Sequence, residues 1–447
     1  MTLIKNATLI NEGMRQSADV LIREGRIEYI AADISATAQM TVVDAKGQWL
    51  IPGMIDDQVH FREPGMPTKG TIASESRAAV AGGITSYMEM PNVVPQTTDR
   101  AALQDKFTRA AQVSVANYSF YLGATNNNLD EIRRLRPDEA CGVKIFMGAS
   151  TGNMLVDNEE TLAQIFSDSP VLIATHCEDS QLIKAQEAVY RLKYGNDIPA
   201  HKHAEIRSVE TCYRSSSLAV SLAKKYGSRL HVLHITTAEE LALFDAAPTL
   251  AQLRKKQITA EACVHHLFFN QLDYPRLGHL MKCNPSVKAP SHQVALWQAL
   301  NDGVIDVIAT DHAPHTWEEK QGHYFSAPSG LPLVQHAIPA LLDLCQRGVM
   351  TPELMVQKTS HAVAERYQIK ERGYLREGYW ADLVLIDPNK PYHVRSNELF
   401  YRCGWTPFID DTFYGGSITT TWVNGHCAYH QGKILPTPNG HKLVFSR

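Results

Sequence analysis

Short apolar runs bounded by turn or helix signals recur along this chain from about residue 50 to residue 313, and eight of them have the length of buried strands. They lie at 50–61, 84–90, 118–123, 142–147, 171–175, 230–235, 259–264 and 305–310. Helical segments separate them. Thr237 to Glu240 and Asp157 to Glu160 read as capping boxes, and Ser291 and Gly303 bracket the helix before the eighth strand. The Ala-rich stretch from Ile72 to Ala81 runs into a stop at Gly82 and Gly83. A strand–helix unit repeated eight times predicts an α/β fold, a closed parallel (β/α)8 barrel of the TIM type with its helices outside. An open doubly wound sheet alternates in the same way, but no Gly-x-Gly-x-x-Gly opens a first helix and polar residues finish the strands throughout.

The two ends of the chain follow another period. Residues 1–51 and 376–447 carry short alternating strands, as around Val20 to Ile22, Leu383 to Ile386 and Thr421 to Val423. One small β-domain assembled from both termini is therefore expected, flanking a metal-dependent barrel over residues 52–375.

Composition changes this picture mainly by exclusion. The 447 residues exceed the roughly 250 to 300 that one core usually fills, which suits a large domain with a smaller companion. A net charge of -4 gives no electrostatic reason to expect nucleic acid or an anionic membrane as partner, so a small-molecule substrate is expected. No secretory signal opens the chain and no apolar stretch reaches the roughly 20 residues of a membrane span, so a cytoplasmic protein is expected. The eight cysteines form no Cys-x-x-Cys pair and read as free thiols.

The 19 histidines carry more, because several sit where apolar runs end. In such barrels the active site forms at the carboxyl ends of the strands. His60 and Arg62 end the first run, Asn92 follows the second and Lys144 lies in the fourth. His176 ends the fifth, His234 the sixth, and Asp311 to His315 the eighth. A single histidine at a strand end commonly just satisfies a buried polar neighbour. Three histidines and an aspartate on four different strands point instead to a divalent metal, with zinc the commonest ion for neutral imidazole and carboxylate. Lys144 cannot ligate as an ammonium, which has no lone pair. Carboxylation by carbon dioxide gives a carbamate whose two oxygens can bridge two ions; the plain alternative is a lysine paired to a carboxylate.

Taken together, Ile51 to Asp56, His60 to Gly65, Val143 to Gly148, Ala174 to Glu178, Leu233 to Ile235 and Ala309 to His315 resemble the dihydroorotases, cyclic amidohydrolases of pyrimidine biosynthesis, over nearly the whole chain. The resemblance implies zinc-dependent, reversible hydrolysis of L-dihydroorotate to N-carbamoyl-L-aspartate, on a centre of one or two ions. It puts His60, Lys144 as a carbamate, His176, His234 and Asp311 at the ligand positions. It also makes Arg62, Asn92, Asn284 and His315 the contacts to the substrate carboxylate and ring, with the backbone of Ser329 and Gly330 closing the site. Asp311 is then the proton carrier between the attacking oxygen and the leaving ring nitrogen. Self-association, and association with a pyrimidine-pathway transferase, stay open.

One position departs from that pattern. Where the family usually has His-x-His, this chain has Gln58, Val59 and His60. An amide oxygen is a weaker zinc donor than imidazole, so one of two metal positions is expected to be weakened. Two rival readings remain: a hydantoinase or allantoinase, against which Arg62 and His315 count, and a silent partner subunit, which Gln58 favours. More plainly still, Arg62 pairs with Glu63 or Asp57, and Asn92 and Asn284 cap turns.

Overall fold

In the computed structural model, which describes residues 1–148, 154–435 and 437–447, eight parallel strands close into a barrel. In chain order they are Met54–Val59, Ile84–Glu89, Asn117–Phe120 continued by Leu122–Gly123, Val143–Phe146, Ile173–His176, Leu230–Val232, Ile258–Cys263 and Val307–Ala309. Each pairs with the next in parallel register, and a bridge between Val59 and His312 joins the last to the first. The His60 N–H donates to the His312 carbonyl across that seam at 2.7 Å.

Nine strands of the two termini form one sheet beside the barrel. The order runs from Lys433–Ile434 through His426–His430, Ser417–Val423 and Leu383–Asp387 to Trp49–Pro52, Thr2–Asn11, Met14–Arg23 and Arg26–Ala31, with Thr41–Asp44 paired to Thr2–Asn11. N- and C-terminal segments meet where Leu383–Asp387 pairs antiparallel with Trp49–Pro52. A shared core of Ile4, Leu9, Val20, Leu383, Leu385 and Trp422 holds the sheet together.

Several expected elements are corrected in detail. The run at 50–61 is two strands: Trp49–Pro52 belongs to the terminal sheet, and the barrel strand starts at Met54. Gly53 makes the change of sheet possible, since a Cβ there would lie 2.2 Å from the Thr85 side chain. The third strand breaks at Tyr121, whose N–H turns to the Glu89 carbonyl. Ile72–Ala81 is helical over the expected residues, capped by Thr71. The helix expected from Asp157 starts one residue later, at Glu159–Asp168, because the Asn158 oxygen accepts the Thr161 N–H. Ser291 does not open its helix, which spans Pro290–Asn301; proline takes the first position, where its missing N–H costs nothing. Thr237 and Glu240 do bond reciprocally, but only a 3-10 turn over Glu240–Leu243 follows.

Candidate active site

At the carboxyl ends of the strands the barrel opens into a cavity of about 330 Å³. Gln58, His60, Arg62, Asn92, Lys144, His176, His234, Asn284, Asp311, His315, Ser329 and Gly330 all line it, so every residue the sequence proposed for the site reaches one space. Three of them hold the left-handed backbone region that side chains disfavour: Arg62 at φ +68, His234 at +40 and Asp311 at +51. Such strain gathers where surrounding structure forces a side chain to a set place.

The four expected protein ligands other than Lys144 fall into two pairs. His60 Nε2 lies 3.1 Å from Asp311 Oδ1, and His176 Nδ1 lies 2.9 Å from His234 Nε2. In the first pair His60 donates from Nδ1 to Asn92 Oδ1 at 2.8 Å, which leaves Nε2 as the lone-pair nitrogen. In the second, His176 donates from Nε2 to Glu178 at 2.8 Å, so Nδ1 carries its lone pair toward His234. Glu178 is itself clamped by Arg207. Burial lowers the pKa of His60, His176 and His234, favouring the neutral, ligating form.

Gln58 faces two ways. Its Nε2 donates to Asp311 Oδ1 at 3.0 Å, and its Oε1 lies 3.7 Å from the Cys263 thiol. A carboxylate only accepts, so the amide orientation follows from its partners.

Lys144 is buried, and among the described residues its ammonium has no hydrogen-bond or carboxylate partner; it lies over the Phe146 ring, 4.7 Å from the centroid. The paired-lysine alternative is thereby excluded among these residues. Burial lowers its pKa to about 8.

Arg62 is 7 % exposed and pairs with neither Glu63 nor Asp57. Its Nε donates to the Pro314 carbonyl at 3.0 Å and its Nη2 to His315 Nε2 at 3.0 Å. Glu63 instead caps Ile72, and Asp57 points inward to Tyr367. Lys69 stands 3.1 Å from His315 Nδ1, and Arg207 lines the cavity as well. Asn92 spends its oxygen on His60, and Asn284 Oδ1 lies 3.1 Å from His203. Arg207 and the clamping role of Glu178 were missed by sequence reasoning. Glu178 carried a signal, the His-x-Glu spacing from His176; Arg207 lies between two helices with no motif around it.

Such a basic, metal-ready cavity in a strand-end position is what hydrolysis of an amide needs. Residues 49–428 match the Amidohydrolase family. The chain belongs to that family. A dihydroorotase of Methanosarcina mazei is 34 % identical over 422 residues, covering 92 % of this chain and 91 % of the relative. An allantoinase of Escherichia coli is 30 % identical, covering 99 % and 98 %. Among solved structures, the L-hydantoinase of Arthrobacter aurescens superposes with a TM-score of 0.91 at 26 % identity, over 99 % of both chains. This amidohydrolase is thus a cyclic amide hydrolase with a small-molecule substrate, in a family that is generally metal-dependent. All eight of its cysteines are free, and among the described residues no helix is long and apolar enough to cross a membrane.

Proposed function

We propose that the chain is a dihydroorotase, catalysing the reversible hydrolysis of L-dihydroorotate to N-carbamoyl-L-aspartate in the synthesis of pyrimidine nucleotides. The observation that carries this reading is Arg62, a buried guanidinium on the cavity wall without a carboxylate partner of its own among the described residues. Burying an unpaired charge is costly, and a substrate carboxylate completes the pair through the guanidinium fork. Neutral hydantoins and allantoin leave that charge unanswered.

The donor set fits zinc. Each pair sets an imidazole lone pair against another ligand atom, a contact that a shared cation relieves. His60 and Asp311 would hold one ion and His176 and His234 another. Lys144, reacting as a free amine with carbon dioxide and losing a proton, would become a carbamate and add an anionic donor to the set. Zinc supplies an acidified water and a polarised amide carbonyl. The chain's own residues do the rest. Arg62 and His315 fix the carboxylate, Asn92 and Asn284 line the ring's side, and the Ser329 and Gly330 backbone bounds the far wall. Asp311 would take the proton of the attacking water and return it to the leaving ring nitrogen.

Loss of dihydroorotate ultraviolet absorbance, measured beside zinc content, tests the reading. Asp311→Asn is expected to keep the fold and lose turnover; substantial residual activity would sink the assignment of Asp311. The 30 % identity to an allantoinase and the likeness to an L-hydantoinase favour a second reading, a neutral cyclic amide as substrate. Faster turnover of allantoin or hydantoin than of dihydroorotate would establish it, and zinc-free protein inactive on all three would favour a silent subunit. The proposed enzyme works in the cytoplasm, and sedimentation with and without a pyrimidine-pathway transferase tests its association with itself or with that partner.

A further inference from the structure

Beneath the cavity, inside the barrel, lies a second group of ligand-type side chains that the proposed reaction does not use. Asp57 from the first strand, His231 from the sixth and Glu261 from the seventh converge there, each 0 % exposed. Their ligand atoms lie within 4.8 Å of one another. His231 Nε2 is 3.1 Å from Asp57 Oδ2 and 3.4 Å from Glu261 Oε2. Despite that closeness, among the described residues His231 Nε2, Asp57 Oδ1 and Glu261 Oε2 make no hydrogen bond of regular geometry. Three buried polar atoms in one place are left without a partner, a costly arrangement in a folded core.

The neighbours show which atom of each side chain is free. His231 Nδ1 lies 2.7 Å from the Thr259 hydroxyl, whose proton is directed at the Leu230 carbonyl. Nδ1 therefore carries a proton, and Nε2 faces two carboxylates; burial lowers the His231 pKa but the carboxylates outweigh it and raise it, so Nε2 holds a proton unless a cation displaces it. Tyr367 donates to Asp57 Oδ2 at 2.8 Å and is linked to Tyr121 at 2.7 Å, fixing that carboxylate. Glu261 Oε1 accepts the backbone N–H of His234 at 3.0 Å, turning Oε2 inward. Each prospective ligand is thus oriented by an outer hydrogen bond, as metal ligands commonly are.

We propose that Asp57, His231 and Glu261 form a separate cation site taking one divalent ion of the zinc class. Zinc bonds of about 2.0 to 2.2 Å put tetrahedral ligands roughly 3.3 to 3.6 Å apart; the 3.4 Å separation falls in that range and the 3.1 Å separation lies just below it. Two carboxylates and a neutral imidazole balance a divalent charge. The site adjoins the cavity through Glu261 and the His234 backbone, so the ion would brace the loop that carries His234. This inference stands apart from the proposed substrate.

The decisive experiment is diffraction from crystals of the full chain, grown with zinc as the only added metal and measured on both sides of the zinc absorption edge. An anomalous peak among Asp57, His231 and Glu261, resolved from any peak in the cavity, is the expected result. A map with no peak there, or with only a water, overturns the proposal, whatever the cavity holds. Asp57→Asn is expected to lower zinc content by about one ion per chain and to remove this peak while cavity peaks persist. If that variant does not fold, the wild-type map still decides.

Discussion

Gln58 and His60 address the same oxygen of Asp311, the amide nitrogen at 3.0 Å and the ring nitrogen at 3.1 Å. With its oxygen turned to Cys263, Gln58 aims its amide nitrogen, which cannot ligate a metal, at Asp311. The residue that marked a departure in the sequence thus bonds to Asp311 itself, orienting the carboxylate proposed to move the proton. Gln58→Leu is expected to keep the zinc content and to lower kcat roughly 10- to 150-fold, the range for losing a hydrogen bond to a charged group. Loss of zinc in that variant would show instead that Gln58 is a ligand. Gln58→His, which supplies a stronger donor, is expected to raise the occupancy of the ion shared with His60.

Arg62 gives the sharpest test of substrate class. Lysine keeps the charge but not the planar fork, so Arg62→Lys is expected to cut kcat/KM on dihydroorotate by about 2 to 4 kcal/mol, roughly 30- to 900-fold. The larger part should appear in KM. A variant whose loss is equal on a neutral cyclic amide would mean that Arg62 serves the fold and not the carboxylate.

These two residues show how the chain's legibility divides. Strand-end residues such as His60, His176 and Asp311 are written locally, because an apolar run ending in a polar side chain is visible in a few residues. Gln58 was visible as a departure, but its partners were not, since Asp311 and Cys263 lie on two distant strands. Asp57 illustrates a subtler loss. Alternation would set Asp57 and Gln58 on opposite faces, yet the register slips between Asp56 and Val59, so Asp57 joins His231 inside the barrel while Gln58 still lines the cavity. The break at Gly53 went unread for a similar reason: an unbroken apolar run does not say that its halves join different sheets. Arg207 came from a segment with no periodic signal at all.

Lys320 holds the far wall of the cavity. Its buried ammonium donates to the carbonyls of Lys282 at 3.1 Å, Pro328 at 2.8 Å and Gly330 at 3.0 Å, tying down the segment that presents Ser329. Gly330 is pinned as well, since a Cβ there would lie 2.4 Å from the Ala313 carbonyl. Lys320→Met keeps an unbranched apolar stem, one atom shorter, and removes all three donors. KM is expected to rise about 30-fold, matching about 2 kcal/mol of lost preorganisation, with a smaller change in kcat. Limited proteolysis should find new cleavage between residues 320 and 331; an unchanged KM would show that the wall is held by other contacts.

His336 makes stability depend on pH away from the site. It is fully buried, with Nδ1 accepting from the Tyr401 hydroxyl at 3.0 Å and from Thr406 at 3.2 Å, and burial pushes its pKa down to about 3. In the unfolded chain it titrates near 6.5. Between those values the unfolded state binds a proton that the folded state refuses. The contribution to stability is therefore fully present above about 6.5 and is lost as pH falls toward about 3. From pH 7.5 to 4.5 the loss amounts to about 2.7 kcal/mol, at 1.36 kcal/mol per unit below 6.5. His336→Gln cannot take up that proton, so its unfolding free energy should fall less over the same interval, by about that amount. Urea unfolding of both proteins at the two pH values checks the difference, in which the acid sensitivity of all other groups cancels. Parallel losses in the two proteins would mean that His336 protonates without unfolding the core around it.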